Sequence, residues 1–174
     1  FDFEYYRKRY TPVINRHAMV NVGEKAPGFT LKNTNKDDIS LGDYSGKTVV
    51  LAFYPGAFTG VCDKEMCSIQ DNLSQLNDSN AVVLGISVDS PWANSEFSKK
   101  YNIEFDLISD IDRVVVNSYD AKFTGLGGIE GYVSANRAVI VVDKEGVVQH
   151  RWVAESPGIE PDYAAIVDFA ASLA

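Results

Sequence analysis

The chain has 174 residues, 45% of them hydrophobic, which is enough to bury one core and too few for two ordinary domains. Its net charge of −8 argues against binding to nucleic acid or to an anionic membrane, because both need clustered lysine or arginine. No apolar run approaches the roughly 18 residues of a membrane span.

The first 18 residues differ from the rest because they carry four basic side chains against two acidic ones. We interpret residues 1–18 as an extension or an expression remnant, with an aromatic-rich arm that docks on the surface as the alternative. Residues 19–174 are then a single domain. The first residues lack the apolar core of a secretory signal, so we expect a cytoplasmic protein.

From Met19 onward, strand and helix patterns alternate. The predicted elements are, in chain order, a short hairpin over 27–31 and 39–41, a strand over 49–54, a helix over 63–76, a strand over 81–88, a helix from 91 to about 101, a short strand over 105–108, a short helix over 113–119, a Gly-rich loop over 122–135, a hairpin over 138–142 and 147–153, and a helix over 161–173. This order predicts an α/β protein with a thioredoxin-like fold, in which helices cover both faces of a mixed central sheet.

The chain has two cysteines, and the first stands where a helix is predicted to begin. Cys62 follows a tight loop after the buried strand, and the apolar residues of the next segment recur at helical spacing: Met66, Ile69, Leu73 and Leu76. Unpaired backbone N–H groups and the positive end of the helix dipole favour a thiolate there. Since a cysteine in this position can have a pKa well below about 8.5, Cys62 is a candidate nucleophile.

The second cysteine, Cys67, is predicted to project from the polar side of the same helix. An intact helix separates the Cα atoms of Cys62 and Cys67 by about 8.7 Å, whereas a disulfide needs about 4.4–6.8 Å. Either the first turn unwinds during a reaction cycle, or Cys67 has no redox role. A close pair of cysteines fits a reducing compartment better than a disulfide framework does.

Three further residues could complete a thiolate site. Pro55 removes an N–H at the strand end and can shield the sulfur from water. The Thr59 hydroxyl can donate and accept hydrogen bonds and could hold a peroxide oxygen in line with the sulfur, although such a threonine is more often a turn or cap residue. Arg137 stands at the entry to the strand over 138–142. Because the end of this strand can approach the first helix, Arg137 is the candidate for a permanent cation at the site.

The segment Pro55-Gly-Ala-Phe-Thr59-Gly-Val-Cys62 resembles the Pro-x-x-x-Thr-x-x-Cys signature of peroxiredoxins. The resemblance covers roughly residues 20–173, and the Cys-x-x-x-x-Cys spacing is similar to that of the bacterioferritin-comigratory-protein or PrxQ subfamily. Two positions depart from the pattern. Gly60 stands where the family commonly has proline, and Asp63 places a negative charge next to Cys62 that opposes thiolate formation.

The resemblance implies a thiol peroxidase that reduces hydrogen peroxide and alkyl hydroperoxides without a metal or an organic cofactor. It implies that Cys62 is the peroxidatic nucleophile, that Pro55, Thr59 and Arg137 complete its site, and that Cys67 is the resolving cysteine. Glu65 matches a position that often carries a carboxylate or amide, with a solvated side chain as the alternative. The expected partners are a hydroperoxide and a thioredoxin-like or other thiol reductant, and the expected assembly is a monomer or homodimer.

Other functions stay open on the residues alone. In a one-cysteine peroxidase, Cys67 would be a bystander and an external thiol would reduce the oxidised Cys62. A thiol–disulfide oxidoreductase without peroxidase activity usually needs Cys-x-x-Cys, which the chain lacks. A metal-binding module would need more ligands than two thiols, and neither His17 nor His150 belongs to a recognisable ligand motif.

Overall fold

The computed structural model describes residues 19–174, except for the side chains of residues 61–63. Residues 1–18, and with them the predicted extension and His17, lie outside the described residues. The strands of the described range are β1 (Thr30–Asn33), β2 (Asp38–Ser40), β3 (Thr48–Phe53), β4 (Ala81–Ser87), β5 (Asp106–Ser109), β6 (Lys122–Thr124), β7 (Val133–Ala135), β8 (Ala138–Val142) and β9 (Val148–Val153). Its α-helices are α1 (Val61–Asp71), α2 (Leu73–Asp78), α3 (Pro91–Tyr101), α4 (Val114–Ser118) and α5 (Tyr163–Ser172). No helix in this range is both long and apolar enough to cross a membrane.

One mixed sheet of seven strands organises the domain, in the order β2-β1-β5-β4-β3-β8-β9. The three strands β3, β4 and β5 run parallel, whereas β1, β8 and β9 pair antiparallel with their neighbours. Every residue of β3 is buried, as the continuous apolar run predicted for a strand covered on both faces.

Two hydrophobic clusters lie on opposite faces of the sheet. Alternate β3 residues point to opposite faces, so Val50 and Ala52 join one cluster and Val49 and Leu51 join the other. The first cluster contains side chains of α1, α2, α3 and α5, and the second contains side chains of α4 and of the opening hairpin. This arrangement confirms the predicted mixed sheet with helices on both faces.

The predicted helix over 63–76 is two helices in the structure. Helix α1 begins two residues earlier than predicted and ends at Asp71, and α2 follows after Asn72. The Asn72 side chain donates from Nδ2 to the Ser68 carbonyl oxygen at 2.8 Å. An asparagine that bonds to nearby backbone competes with the helix for it, which is the physical reason for the break. The boundaries of the other predicted strands and helices shift by at most three residues.

The prediction of a loop over 122–135 is wrong. Strands β6 and β7 pair antiparallel there, with Lys122 opposite Ala135, and form a separate two-stranded sheet. Arg113, just before α4, donates from Nε to the Val133 carbonyl oxygen at 3.0 Å and so ties this small sheet to the domain. The glycines lie between the two strands, where they allow the chain to turn.

The sheet topology brings distant parts of the chain to one edge. Because β3, β4 and β5 are parallel, the loops that follow them all leave from the same edge. Strand β8 runs antiparallel to β3, with Ala138 opposite Phe53, so the residue before β8 also lies at that edge. The edge therefore carries both the loop to α1 and Arg137.

Candidate active site

Cys62 is the second residue of α1 and lies in its first turn, as predicted. Residues 54–60 form the loop that connects β3 to this helix. The unpaired N–H groups and the positive end of the helix dipole are therefore at Cys62. Since the side chains of residues 61–63 are outside the described part, the approach of Thr59 and Arg137 to the sulfur stays a prediction.

Hydrogen bonds from Ala57 and Thr59 help to hold the loop before Cys62. The backbone N–H of Ala57 donates to Asp89 Oδ2 at 2.8 Å, and the Thr59 hydroxyl donates to the Gly56 carbonyl oxygen at 2.8 Å. Pro55 is buried at the end of β3, whereas Thr59 is exposed. The bond to Gly56 orients the Thr59 hydroxyl, whose oxygen also has lone pairs that can accept a hydrogen bond.

The loop also contains two residues with left-handed backbone conformations. Phe58 has a φ of 63°, and its ring packs edge-on against Phe97 of α3 with centroids 5.3 Å apart. Gly60 has a φ of 76°, which the proline ring forbids because it holds φ near −65°. The departure from the family's common proline therefore matches the backbone of this loop.

Arg137 and Glu65 form a buried ion pair at the site. Arg137 Nη1 contacts Glu65 Oε2, and the exposed fractions of the two side chains are 1% and 0%. Arg137 Nε also donates to the Pro157 carbonyl oxygen at 3.1 Å. The ion pair confirms that the start of β8 approaches the first helix. Glu65, for which a solvated side chain was the alternative, is buried instead.

The electrostatics of this pair depend on the protonation of Glu65. Burial raises the pKa of Glu65 to about 8, against the opposite effect of the Arg137 charge. Burial and the Glu65 charge also raise the pKa of Tyr163, the first residue of α5. A neutral Glu65 compensates less of the positive charge of Arg137 than a charged Glu65 does, and the pair then favours an anion at the start of α1 more strongly.

Cys67 is half-buried on α1, while its neighbour Met66 is fully buried in the core. This difference confirms that Cys67 lies away from the apolar stripe. The helix is continuous from Val61 to Asp71 and contains both cysteines. A disulfide between Cys62 and Cys67 therefore requires a local change in α1.

A buried polar cluster beneath the loop was missed by the sequence reasoning. The Tyr54 hydroxyl donates to Asn94 Oδ1 at 2.8 Å, and Asn94 Nδ2 donates to Ser109 Oγ at 3.1 Å and to Ser87 Oγ at 3.3 Å. The sequence feature that could have indicated this cluster is the serine at the end of each of the strands β4 and β5, Ser87 and Ser109. The cluster joins the ends of three parallel strands to α3 and so supports the loop.

The described residues form no metal site, and His150 packs in the hydrophobic part of the structure. Between residues 19 and 174, no described group of three or more His, Cys, Asp or Glu side chains could hold a metal ion. His150 lies on β9 against the ring of Phe169, with centroids 5.8 Å apart, and burial lowers its pKa.

Comparisons with known proteins relate this chain to one family. The model of the AhpC/TSA family matches residues 22–151. The chain is 41% identical over 133 residues to the putative peroxiredoxin bcp of Coxiella burnetii, across 76% of this chain and 88% of that protein. It is 36% identical over 132 residues to the chloroplastic peroxiredoxin Q of Populus jackii, across 76% of this chain and 60% of that protein. The crystal structure of peroxidoxin BcpB from Mycobacterium tuberculosis matches with a TM-score of 0.73 and 25% identity, across 88% of this chain and 96% of that chain. This structural similarity confirms the predicted thioredoxin-like fold.

Proposed function

The chain belongs to the AhpC/TSA family and matches its Bcp and peroxiredoxin Q members, and from this premise we propose that Cys62 is the nucleophile of a thiol peroxidase. The proposed substrates are hydrogen peroxide and alkyl hydroperoxides. The observation that carries the proposal is the position of Cys62 in the first turn of α1, the helix that the buried Arg137 contacts through Glu65.

In the proposed first step, the Cys62 thiolate attacks the terminal oxygen of the hydroperoxide. The S–O bond forms as the O–O bond breaks, so Cys62 becomes a sulfenic acid and the peroxide leaves as water or an alcohol after taking up a proton. The Arg137 guanidinium, the Thr59 hydroxyl and the N–H groups of the first turn of α1 would stabilise the charge on the leaving oxygen. Pro55, which is buried at the end of β3, would limit access of water to the sulfur.

In the proposed second step, the Cys67 thiol attacks the sulfenic acid and releases water, which leaves a Cys62–Cys67 disulfide. This step needs the first turns of α1 to unwind, because the intact helix holds the two Cα atoms about 8.7 Å apart. A thioredoxin-like thiol protein of the cytoplasm would then reduce the disulfide by thiol–disulfide exchange.

A stopped-flow reaction of the reduced protein with hydrogen peroxide, followed by intact-mass analysis, tests both steps. We expect the wild type to lose two hydrogens and Cys67→Ser to gain one oxygen, while Cys62→Ser keeps its mass. An unchanged mass in both wild type and Cys67→Ser would overturn the proposal. Retained reactivity in Cys62→Ser would assign the nucleophile to another residue.

One observation favours a second candidate, a one-cysteine peroxidase. Glu65 lies between the two cysteines on α1, and its buried contact with Arg137 opposes unwinding of that segment. An external thiol would then reduce the sulfenic acid directly. Sustained turnover of Cys67→Ser with thioredoxin would support this candidate, and turnover that stops after one equivalent of peroxide would exclude it.

A further inference from the structure

The C-terminal helix brings one more polar group to the buried ion pair. Helix α5 begins at Tyr163, and its N-cap residue Asp162 accepts a hydrogen bond from the Ala165 N–H at 3.0 Å. This cap fixes the first turn of α5, which therefore holds Tyr163 in place. The Tyr163 ring packs against the cluster that contains Met66, Ile69 and Ile166, so α5 and α1 share one core.

Each of these two packed helices carries one buried oxygen atom that lacks a hydrogen bond within the described part of the chain. Glu65 Oε1 and the Tyr163 hydroxyl are both buried, and neither has a hydrogen-bond partner of good geometry among the residues that the structure describes. Tyr163 lowers the pKa of Glu65 and Glu65 raises the pKa of Tyr163, although burial is the largest influence on both groups. Since buried polar atoms are almost always paired, the two oxygens are natural partners for each other.

We propose that Tyr163 is a positioning residue of the peroxidase site, and that its hydroxyl holds the Glu65 carboxyl in place for the contact with Arg137. The inference rests on the proposed function, because Arg137 matters to Cys62 only if Cys62 reacts with peroxide. In the proposed arrangement the Tyr163 hydroxyl donates to Oε1, on the other side of the carboxyl from the Arg137 contact with Oε2. The carboxyl is then held from two sides, by the C-terminal helix and by the residue before β8.

This arrangement gives the hydroxyl two consequences for the reaction. It fixes the rotation of the carboxyl, and with it the position of the guanidinium that the proposed mechanism needs. It also stabilises the charged form of Glu65, which lowers the net positive charge that the Arg137–Glu65 pair presents to an anion at Cys62. Among the side chains that the structure describes, the charged or titratable groups that act on Glu65 are Arg137, Tyr163 and Glu160.

The variant Tyr163→Phe tests the inference because it removes the hydroxyl and keeps the ring in the core. A ¹³C NMR titration measures the pKa of the Glu65 carboxyl, whose signal is assigned by comparison with Glu65→Gln. We expect its midpoint to rise by about one pH unit in Tyr163→Phe, because a donor that favours the carboxylate has been lost. The pH dependence of the peroxide reaction should show an inflection that moves by the same amount.

Tyr119→Phe is the matched control. The Tyr119 hydroxyl is also buried and donates to the Pro27 carbonyl oxygen at 2.7 Å, but Tyr119 belongs to the cluster on the opposite face of the sheet. Its removal should lower the thermal stability without moving either midpoint. Any general effect of losing a buried hydroxyl would then be visible in both variants.

The outcomes separate the inference from the proposed function. An unchanged Glu65 midpoint in Tyr163→Phe would overturn the inference, whether or not the protein reduces peroxide. A shifted midpoint with an unchanged pH profile of the peroxide reaction would make Tyr163 purely structural and would also overturn it. A wild type that does not react with peroxide would instead remove the proposed function, while the NMR titration would still decide whether Tyr163 holds Glu65.

Discussion

Asp89 accepts a hydrogen bond from the backbone N–H of Ala57 at 2.8 Å, so a carboxylate just after β4 fastens the loop that leads to Cys62. Gly56 lies against the same carboxylate, since a Cβ at this position would be 3.7 Å from Asp89 Oδ2. The loop is therefore positioned by a neighbouring strand as well as by its own turn.

Asp89→Ala should slow the oxidation of Cys62 by about tenfold, because one hydrogen bond to a charged group is lost and the loop gains freedom. Asp89→Asn is the control, since its amide oxygen can accept the same bond and should retain most of the rate. Stopped-flow measurement of the second-order rate with hydrogen peroxide compares the three proteins. A rate for Asp89→Ala within twofold of the wild type would mean that other contacts hold the loop.

Gly60→Ala should destabilise the protein by about 1–2 kcal/mol, because alanine disfavours the left-handed φ of 76° at this position. Gly28→Ala is matched to it. A Cβ at either glycine meets no atom within 4 Å, and of these two glycines Gly60 has a positive φ and Gly28 does not. Urea unfolding of the two variants isolates the backbone conformation from packing. Equal stability of the two variants would show that the loop adopts another conformation in solution.

Glu65→Gln should remove a pH-dependent part of the stability. Burial raises the pKa of Glu65 from 4.5 to about 8, so between these values the folded protein keeps a proton that the unfolded chain releases. The free energy of unfolding therefore falls as the pH rises through this window. We expect the free energy of unfolding of the wild type, relative to that of Glu65→Gln, to fall by at most about 1.4 kcal/mol for each unit by which the pH rises.

Urea unfolding of both proteins from about pH 5 to about pH 8 measures this difference. The raised pKa of Asp110 affects both proteins alike and cancels. A constant difference over the whole window would contradict the raised pKa of Glu65.

Oxidation with one equivalent of hydrogen peroxide should increase amide hydrogen exchange in residues 61–70, because the disulfide cannot form across an intact α1. Helix α4 provides the internal control, since Val114–Ser118 packs on the opposite face of the sheet and should exchange at the same rate in both states. Mass spectrometry of peptic peptides makes the comparison. Unchanged protection of residues 61–70 in a fully oxidised sample would falsify the unwinding step.

The α/β order, the thioredoxin-like fold and the place of Cys62 in a first helical turn were all predictable, because they follow from local periodicity. The break at Asn72 was not, since it depends on one side-chain bond to the Ser68 carbonyl that competes with an otherwise helical pattern. The pairing of β6 with β7 was also missed. These strands have three residues each, too few to show an alternation, and they become stable only against the rest of the domain.

The role of Glu65 in the site was also not predictable from local sequence. The spacing places Glu65 three residues after Cys62 and four before Ile69, on the side of α1 that faces the core, so a pattern for its burial was present. The function of a buried Glu65 depends on its contact with Arg137, which is 72 residues away in sequence. A charged residue on an apolar face has a clear role only once its partner is known, and the sheet topology supplies that partner.

Because β3 pairs with β8, the thiol and the guanidinium come from opposite halves of the chain. A nascent chain on the ribosome would expose the Cys62 helix long before residue 137 leaves the exit tunnel. Until residue 137 has emerged, the proposed site would lack the Arg137 cation, and the reaction of Cys62 with peroxide would lack its stabilisation.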